Sequence, residues 1–516
     1  MQTVLCLISD KWAKAVACTN RQWAICLFLT CLTATLYFPA ANFDYIDYDD
    51  PIYASDNTYV IDGLTPASIQ WAFSTTFGYY HPIAFLSLMA DSTLFGPTPF
   101  AHHISNIILH CACVVMLFLI SVRCCNSILW STVGAMAFSL HPINIESVAW
   151  ISERKGLISA LFSLISIYYY ITFRRKRRVS SMIVLCTLFI LGYLAKPSVV
   201  VLPLALILLE FWLSENDAGK SKYSLKNEIR WNVPLLVLSL LGAFACYFTQ
   251  VKSGAVAIGI PIYSKLSNAF NAYSISLSKV LLPLNLAPLY PHNTRSGIGS
   301  VVLLLLALFS IYTICRRSPL SKFWGNLRFV SIWYTIWILP VLGIISFGPA
   351  LIADRYAYLP LAGLTLGASK TMSDIQLRLS SKKTRFSLGL GAFCVLLALT
   401  FLADKQLRLW RNTETLFIAT LQRTQRNAVA HCVLATHLHT NRRYGEAETQ
   451  FLEALQISPR YTLAWYNLGL TLVELNRLAE ATTCFEAANR LAPTTMETSE
   501  NARRAHEQHQ NPETKQ

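Results

Sequence analysis

Apolar residues along this chain gather into long runs separated by short polar connections. The runs at 23–41, 104–122, 156–173, 198–213, 233–248, 301–315, 329–347 and 386–403 reach, or nearly reach, the length of a helix that crosses a hydrocarbon core of ~30 Å. Backbone amides in lipid need partners within their own segment, so helices are the default spanning element. The strict alternation of a membrane barrel is absent. The first run follows Lys11, Lys14 and Arg21 and lacks a small-residue cleavage site, so it reads as an uncleaved first span. The pattern predicts an all-α protein whose body is a polytopic membrane helical bundle of about 11 spans.

Beyond residue 405 the hydrophobicity falls while the helical period continues. Two windows of 34 residues, 428–461 and 462–495, align with each other. In the second, Trp465, Leu468, Gly469, Ala481, Phe485, Ala488 and Pro493 occupy the signature positions of a tetratricopeptide repeat (TPR). Leu434, Ala447, Phe451, Ala454 and Pro459 do so in the first. Two repeats rarely close a core. The segment with Leu416, Phe417 and Leu421 is expected to supply a neighbouring helix, and residues 496–506 a cap. The domains expected are a membrane body, 1–404, with an acidic first outer loop, 42–99; a repeat module, 405–506; and a polar tail, 507–516. The module is expected to dock a protein or to pack against the membrane body.

Composition agrees with a membrane protein: 54% of residues are hydrophobic and only 14% charged, far below a soluble domain of this size. The formal charge of +15 does not point to nucleic acid, because it is concentrated in short connections. With the N-terminus inside, the inner segments hold 22 Lys and Arg, against 8 in the outer segments up to residue 404. Positive residues favour the cytoplasmic side, so this asymmetry sets the topology. It also makes 264–290 an interfacial or re-entrant segment and puts the repeat module outside. The fourteen cysteines show no metal-ligand spacing. No Asn-x-Ser/Thr sequon occurs, which leans toward a bacterial cytoplasmic membrane with a periplasmic module.

Candidate chemistry lies where polar residues stand against their expected cost. The outer loop 42–99 has no Lys or Arg but seven aspartates, among them the pair Asp49-Asp50. Paired carboxylates near a membrane surface can act as a general base or hold a cation. His141-Pro142, Glu146, Trp150, Glu153, Arg154 and Lys155 form a second cluster, too dense in charge to be mere interface anchors. Lys196 precedes Pro197 in apolar sequence, and Asp354-Arg355-Tyr356 lies in the last short outer loop. Together Arg154, Lys155, Lys196 and Arg355 could hold a lipid phosphate. His103, Asn106 and His110 share one helical face and read as interhelical hydrogen-bonding groups. No Gly-rich phosphate loop or nucleophile elbow is present. The chemistry must therefore use carboxylates, cations and a lipid-bound substrate.

These residues bear a resemblance. Tyr48-Asp49-Asp50-Pro51, Tyr80-His81-Pro82, the stretch from His141 to Lys155, Ala195-Lys196-Pro197, Leu286 to His292 and Ala353 to Pro360 resemble the GT-C membrane glycosyltransferases with C-terminal tetratricopeptide repeats. That group includes the TMTC protein O-mannosyltransferases and their bacterial relatives. The resemblance implies an isoprenoid-phosphate sugar donor, a protein or glycan acceptor, and inversion at the sugar. Carried over by position, Asp49 or Asp50 is the base. Arg154, Lys155, Lys196, Arg355 and His81 bind the donor phosphate. Glu146, Glu153, His141, Asp354 and His292 orient the acceptor or the cations. His81 stands where relatives often carry an arginine, so it could bind phosphate only when protonated. The adjacent aspartates permit a divalent metal without demanding one. The competing expectations are a non-catalytic membrane scaffold that works through its repeats, a polysaccharide polymerase or ligase, and a transporter of lipid-linked sugar, for which the internal duplication is missing.

Overall fold

In a computed structural model, residues 2–74, 80–125, 127–216, 224–252, 261–292, 321–343 and 350–492 are described. The expected span at 301–315 and everything beyond residue 492, including Pro493, the cap and the tail, lie outside the described residues. The chain is helical almost throughout. The membrane body contains α1 (Gln2–Tyr37), α2 (Thr58–Ile61), α3 (Pro66–Ser74), α4 (Pro82–Phe95), α5 (Pro99–Cys124), α6 (Ile128–Ser139), α7 (Ile145–Ala149), α8 (Arg154–Phe173), α9 (Val179–Ala195), α10 (Leu202–Asn216), α11 (Leu225–Lys252), α12 (Ile262–Leu281), α13 (Ser321–Ile338), α14 (Tyr358–Arg378) and α15 (Lys382–Leu407). The short strands β1 (Tyr290–Pro291) and β2 (Ala350–Ile352) pair antiparallel, Tyr290 opposite Ile352.

Among the described residues, six helical segments are long and apolar enough to cross a membrane, and a seventh if the bent pair Ile128–Ser139 and Pro142–Ala149 is one broken span. Val179–Ala195 and Pro82–Phe95 are shorter apolar helices. The amphipathic α12 is not among the spanning helices; it packs its buried face, with Ala272, Ser274 and Ile275, beside β2.

Local sequence explains where these helices stop. Pro82, Pro142 and Pro197 each open a helical turn, and the residue before each is held out of the helical conformation by the proline ring. His81, His141 and Lys196 are therefore left at helix ends rather than inside helices. Thr98 and Ser127 cap α5 and α6 by accepting from Ala101 and Trp130 amides. Close approach of helices in the body relies on small residues, as expected where lipid removes the usual hydrophobic drive. A Cβ at Gly363 would lie 2.0 Å from the Trp333 ring, so α13 and α14 meet there only because the side chain is absent.

The repeat module follows as α16 (Thr413–Arg423), α17 (Ala428–Thr440), α18 (Tyr444–Ile457), α19 (Thr462–Glu474) and α20 (Leu478–Leu491). Leu434, Ala447, Phe451, Ala454, Leu468, Ala481, Phe485 and Ala488 are buried between the paired helices. A Cβ at Gly469 would stand 2.6 Å from the Phe485 ring, which accounts for glycine at that signature position. Helix α16 lays Leu416 and Phe417 against the first repeat, where each large side chain contributes roughly 1.5–3 kcal/mol by leaving water. Cys432 and Cys484 are buried as small hydrophobes.

The module is fastened to the face of the body that carries the acidic loop. His437 Nδ1 lies 2.6 Å from Asp47 Oδ2, and the Asp47 amide donates to Thr413 Oγ1 at 2.9 Å. Arg423 donates to the Leu286 carbonyl at 2.6 Å, and the Asp44 amide to the Arg411 carbonyl at 3.0 Å. Tyr48 packs on Phe417, and Trp150 on Trp410.

Candidate active site at the carboxylate and cation cluster

The ends of α1, α7, α8, α9 and α14 meet beneath the repeat module, and they carry most of the residues singled out in the sequence. Glu153 is the hub. Its carboxylate receives Lys196 Nζ at 2.8 Å, Arg355 Nε at 3.3 Å and Lys155 Nζ at 3.7 Å. Glu146 is hydrogen-bonded by the Arg355 guanidinium and by the Arg355 amide, the latter at 3.1 Å. Arg355 also donates to the Pro288 carbonyl at 3.0 Å and lies over the Trp150 ring, 5.0 Å from its centre. Lys155 continues from Glu153 to Asp49, 3.7 Å away, and covers the Tyr53 ring at 4.1 Å. Three cations (Lys155, Lys196 and Arg355) thus face three carboxyl groups (Asp49, Glu146 and Glu153), so the formal charges match. Gly156 makes this possible: a Cβ there would sit 2.7 Å from Glu153 Oε2 and 3.4 Å from Lys196 Nζ.

The two adjacent aspartates face different ways. Asp50 is 1% exposed; its Oδ2 accepts from the Ile46 amide at 2.9 Å, and its Oδ1 from the Ser152 amide at 3.0 Å and from the Ser152 hydroxyl. Burial pushes its carboxyl up to about 6, against the opposing pull of those hydrogen bonds. Asp49 keeps 34% of its side chain exposed and points to Lys155. Asp50 is thus the anchor that ties the acidic loop to the start of α8, and Asp49 is the carboxylate open to an incoming group. Among the described residues no three His, Cys, Asp or Glu side chains converge as metal ligands.

Other sequence candidates lie apart from this cluster. The Arg154 guanidinium turns the opposite way from Lys155 and is wholly buried, donating to Asp91, to the His102 carbonyl, to Asn106 Oδ1 at 2.9 Å and to Ser87. It locks α4, α5 and α8 together, and its complete burial among these partners turns it away from an incoming phosphate. His81 is buried with its Nδ1 2.8 Å from the Tyr53 hydroxyl. Burial, aided by the Lys155 and Lys196 charges, holds it well below the usual histidine range, so it is neutral and adds no positive charge. His141 caps its own turn by accepting from the Ile143 amide at 3.2 Å and reaches the Val280 carbonyl at 3.0 Å. Asp354 is buried beneath the cluster; its carboxylate accepts from the Ala287 amide and the Tyr290 hydroxyl, both at 3.1 Å. Burial and the Glu146 charge raise it well above the carboxylate range. Asn106 and His110 make interhelical hydrogen bonds, to the Val148 and Trp150 carbonyls and to Tyr358.

Two openings reach this region. A narrow cleft of about 40 Å³ is walled in part by Ser147, Lys196, Ser198, Trp337, Arg355 and Tyr356. A wider one, about 470 Å³, separates the loop at Leu289, Pro291 and His292 from Arg426, Ser458 and Tyr461 of the repeat module. Tyr290, between those wall residues, hydrogen-bonds Asp354, so the floor of the second opening adjoins Arg355. Ser152, Tyr53, Asp91, His102, Gly156 and Trp337 carried no role in the sequence reading. Only Ser152 and Gly156 had a signal, by lying within or beside the His141–Lys155 stretch.

The fold and site define a multi-pass helical membrane protein with a polar, charge-balanced pocket at one membrane face and a helical-repeat module seated over it. Residues 463–495 match the tetratricopeptide repeat family. The chain is similar to Protein O-mannosyl-transferase TMTC2 of Mus musculus, 30% identical over 92 residues, which are 18% of this chain and 11% of that protein. It is similar to Protein O-mannosyl-transferase Tmtc1 of Drosophila melanogaster, 30% identical over 106 residues, 20% of this chain and 12% of that protein. A longer match joins it to Protein O-mannosyl-transferase F38B6.6 of Caenorhabditis elegans, 22% identical over 393 residues, 72% of this chain and 52% of that protein. In each case the match covers less than two thirds of the relative's own length.

Proposed function

We propose that this chain is a membrane glycosyltransferase. It moves a sugar, mannose or one like it, from an isoprenoid-phosphate carrier to a hydroxyl of a protein or glycan acceptor. The observation that carries this reading is the partly exposed Asp49 linked through Lys155 and Glu153 to a cleft that holds Lys196 and Arg355. The printed names of the similar proteins support it, because each is a protein O-mannosyl-transferase.

In this mechanism Asp49 takes the proton of the acceptor hydroxyl. The acceptor oxygen then attacks the anomeric carbon from the face opposite the phosphate, and the bond from that carbon to the phosphate oxygen breaks with inversion. The phosphate leaves with the electron pair and is stabilised by Lys155, Lys196 and Arg355 as its charge develops. Glu153 and Glu146 hold those cations in place before the donor arrives, which limits reorganisation during the reaction. Asp50 fixes the loop that carries Asp49, and Arg154 fixes the helix that carries Lys155. The acceptor approaches by the wider opening under the repeat module. The charge asymmetry of the loops supports a cytoplasmic N-terminus and an outer-face site in a bacterial cytoplasmic membrane.

A non-catalytic scaffold is the second reading, favoured by the direct fastening of the module through Asp47 and His437. One experiment separates the two. Purified wild type and Asp49→Asn are given radiolabelled polyprenyl-phosphate-mannose and a periplasmic extract. Label transferred by wild type alone supports the enzyme. Equal transfer by both removes Asp49 from the mechanism, and a pull-down that depends on the repeat module with no transfer from any lipid-linked sugar supports the scaffold.

A further inference from the structure

Among the groups in the narrow cleft that the mechanism above does not use, one is a buried donor without a partner. Trp337 forms part of its wall and is 5% exposed, yet among the described residues its indole N–H has no hydrogen-bond partner. Leaving a buried donor unmade costs free energy, so such groups call for an explanation. Trp150 and Trp410 also carry unpartnered indole N–H groups, but neither lines this cleft. At Trp337 the surroundings are specific. Lys196 and Arg355 occupy the same walls with the hydroxyl-bearing Ser147, Ser198 and Tyr356, and apolar residues such as Val341 and Leu359 line the rest. The carboxylates that balance the two cations lie behind them: Glu153 against Lys196, and Glu146 against Arg355. The cleft side of the cluster therefore presents donors and positive charge, with no carboxylate among its lining residues.

From this arrangement we propose that the cleft is a phosphate site in which the Trp337 N–H is a third donor beside Lys196 and Arg355. This rests on the reading of the protein as acting on a phosphate-linked substrate and names the residue that completes its anion pocket. An indole N–H donates and never accepts, so it suits an anion that must be held without a further formal charge. In a cluster whose formal charges already match, a neutral donor lets the phosphate be gripped without adding a cation that the glutamates would have to balance.

The test uses the full chain in detergent micelles and three probes: undecaprenyl phosphate, undecaprenol, which lacks the phosphate, and inorganic phosphate. Thermal unfolding is followed by intrinsic fluorescence. Trp337→Phe keeps an aromatic ring and removes the donor; Trp410→Phe removes an unpartnered donor away from the cleft. The expected result is saturable stabilisation of wild type by undecaprenyl phosphate and not by the polyprenol, with affinity about tenfold weaker in Trp337→Phe, the loss expected for one hydrogen bond to an anion. Trp410→Phe retains wild-type affinity. Stabilisation by inorganic phosphate with the same sensitivity to Trp337 makes the site one for the phosphate group itself; insensitivity to inorganic phosphate assigns it to the lipid form. Equal affinity of wild type and Trp337→Phe overturns the proposal, as does the absence of any phosphate-dependent stabilisation of wild type. Weakened binding in Trp337→Phe together with no sugar transfer by wild type keeps the phosphate site and removes the transferase.

Discussion

Two neighbouring carboxylates with opposite surroundings should give opposite phenotypes. Asp49→Asn changes a group that is one third exposed and 3.7 Å from Lys155. Lys155 keeps Glu153 as a partner, so the stability change should stay within about 1 kcal/mol. Sugar transfer should fall by roughly 10²–10⁴, the usual contribution of a positioned general base. Asp50→Asn keeps the shape but puts an amide NH2 opposite either the Ile46 N–H or the Ser152 donors. One buried donor is left facing another, which costs about 1–3 kcal/mol. Acid adds an independent signature. The Asp50 carboxyl titrates near 6 in the folded protein against 3.8 ordinarily. The folded state therefore binds the proton more tightly, and this group's contribution to stability is full below 3.8 and lost as pH rises through 6. Between pH 7 and pH 5 wild type should gain roughly 1 kcal/mol relative to Asp50→Asn, which has no such carboxyl. Thermal unfolding of both variants in detergent at the two pH values, with transfer rates measured in parallel, reads all of this. A stable, pH-indifferent difference for Asp50→Asn together with full activity of Asp49→Asn would refute the assignment of anchor and base.

Three further outcomes follow from the geometry. Gly156→Ala puts a methyl 2.7 Å from Glu153 Oε2, so it should part the Glu153–Lys196 pair and reduce transfer at least tenfold with less effect on the melting temperature; unchanged activity would show that the pair is dispensable. Arg154→Met leaves Asp91 buried without its main partner and should destabilise the body by about 3–5 kcal/mol, visible as loss of monodisperse protein in size-exclusion chromatography, and Asp91→Asn/Arg154→Met should recover part of that loss. His437→Ala removes the 2.6 Å contact with Asp47 and should increase protease cleavage between the body and the module while leaving the far-UV helix signal intact; unchanged cleavage would mean that Arg423 and Thr413 suffice.

Much of the architecture could be read along the chain because it follows from short-range rules. Apolar length marks six spanning helices among the described residues, against the roughly 11 spans expected, and the X-Pro pairs at His81, His141 and Lys196 mark the helix ends where polar groups collect. The repeat signature marks the module through residues whose size is dictated locally, such as Gly469 under Phe485. What could not be read is direction. Arg154 and Lys155 are adjacent, and successive helix residues point about 100° apart. One guanidinium therefore enters the α4–α5 packing while the neighbouring ammonium enters the site. Choosing between them requires knowing that Asp91, far away in sequence, waits on the first side and Asp49 on the second. The Asp49-Asp50 pair was ambiguous for the same reason, since Ser152 and the Ile46 amide decide it. Trp337 carried no sequence signal, because its interest lies in a partner it lacks.

The seam between body and module has a consequence for how such proteins can diversify. The described hydrogen bonds across it come from Arg411, Thr413, Arg423 and His437, all at the near end of the module. Helix α20 leans on α19, the next element inward. An array fastened by its base and stacked outward can be lengthened or exchanged beyond its first repeat without altering any of these hydrogen bonds to the body. The reach of the module and the pocket of the membrane body can then change independently, as a tool head and its handle can be replaced separately when the joint is kept.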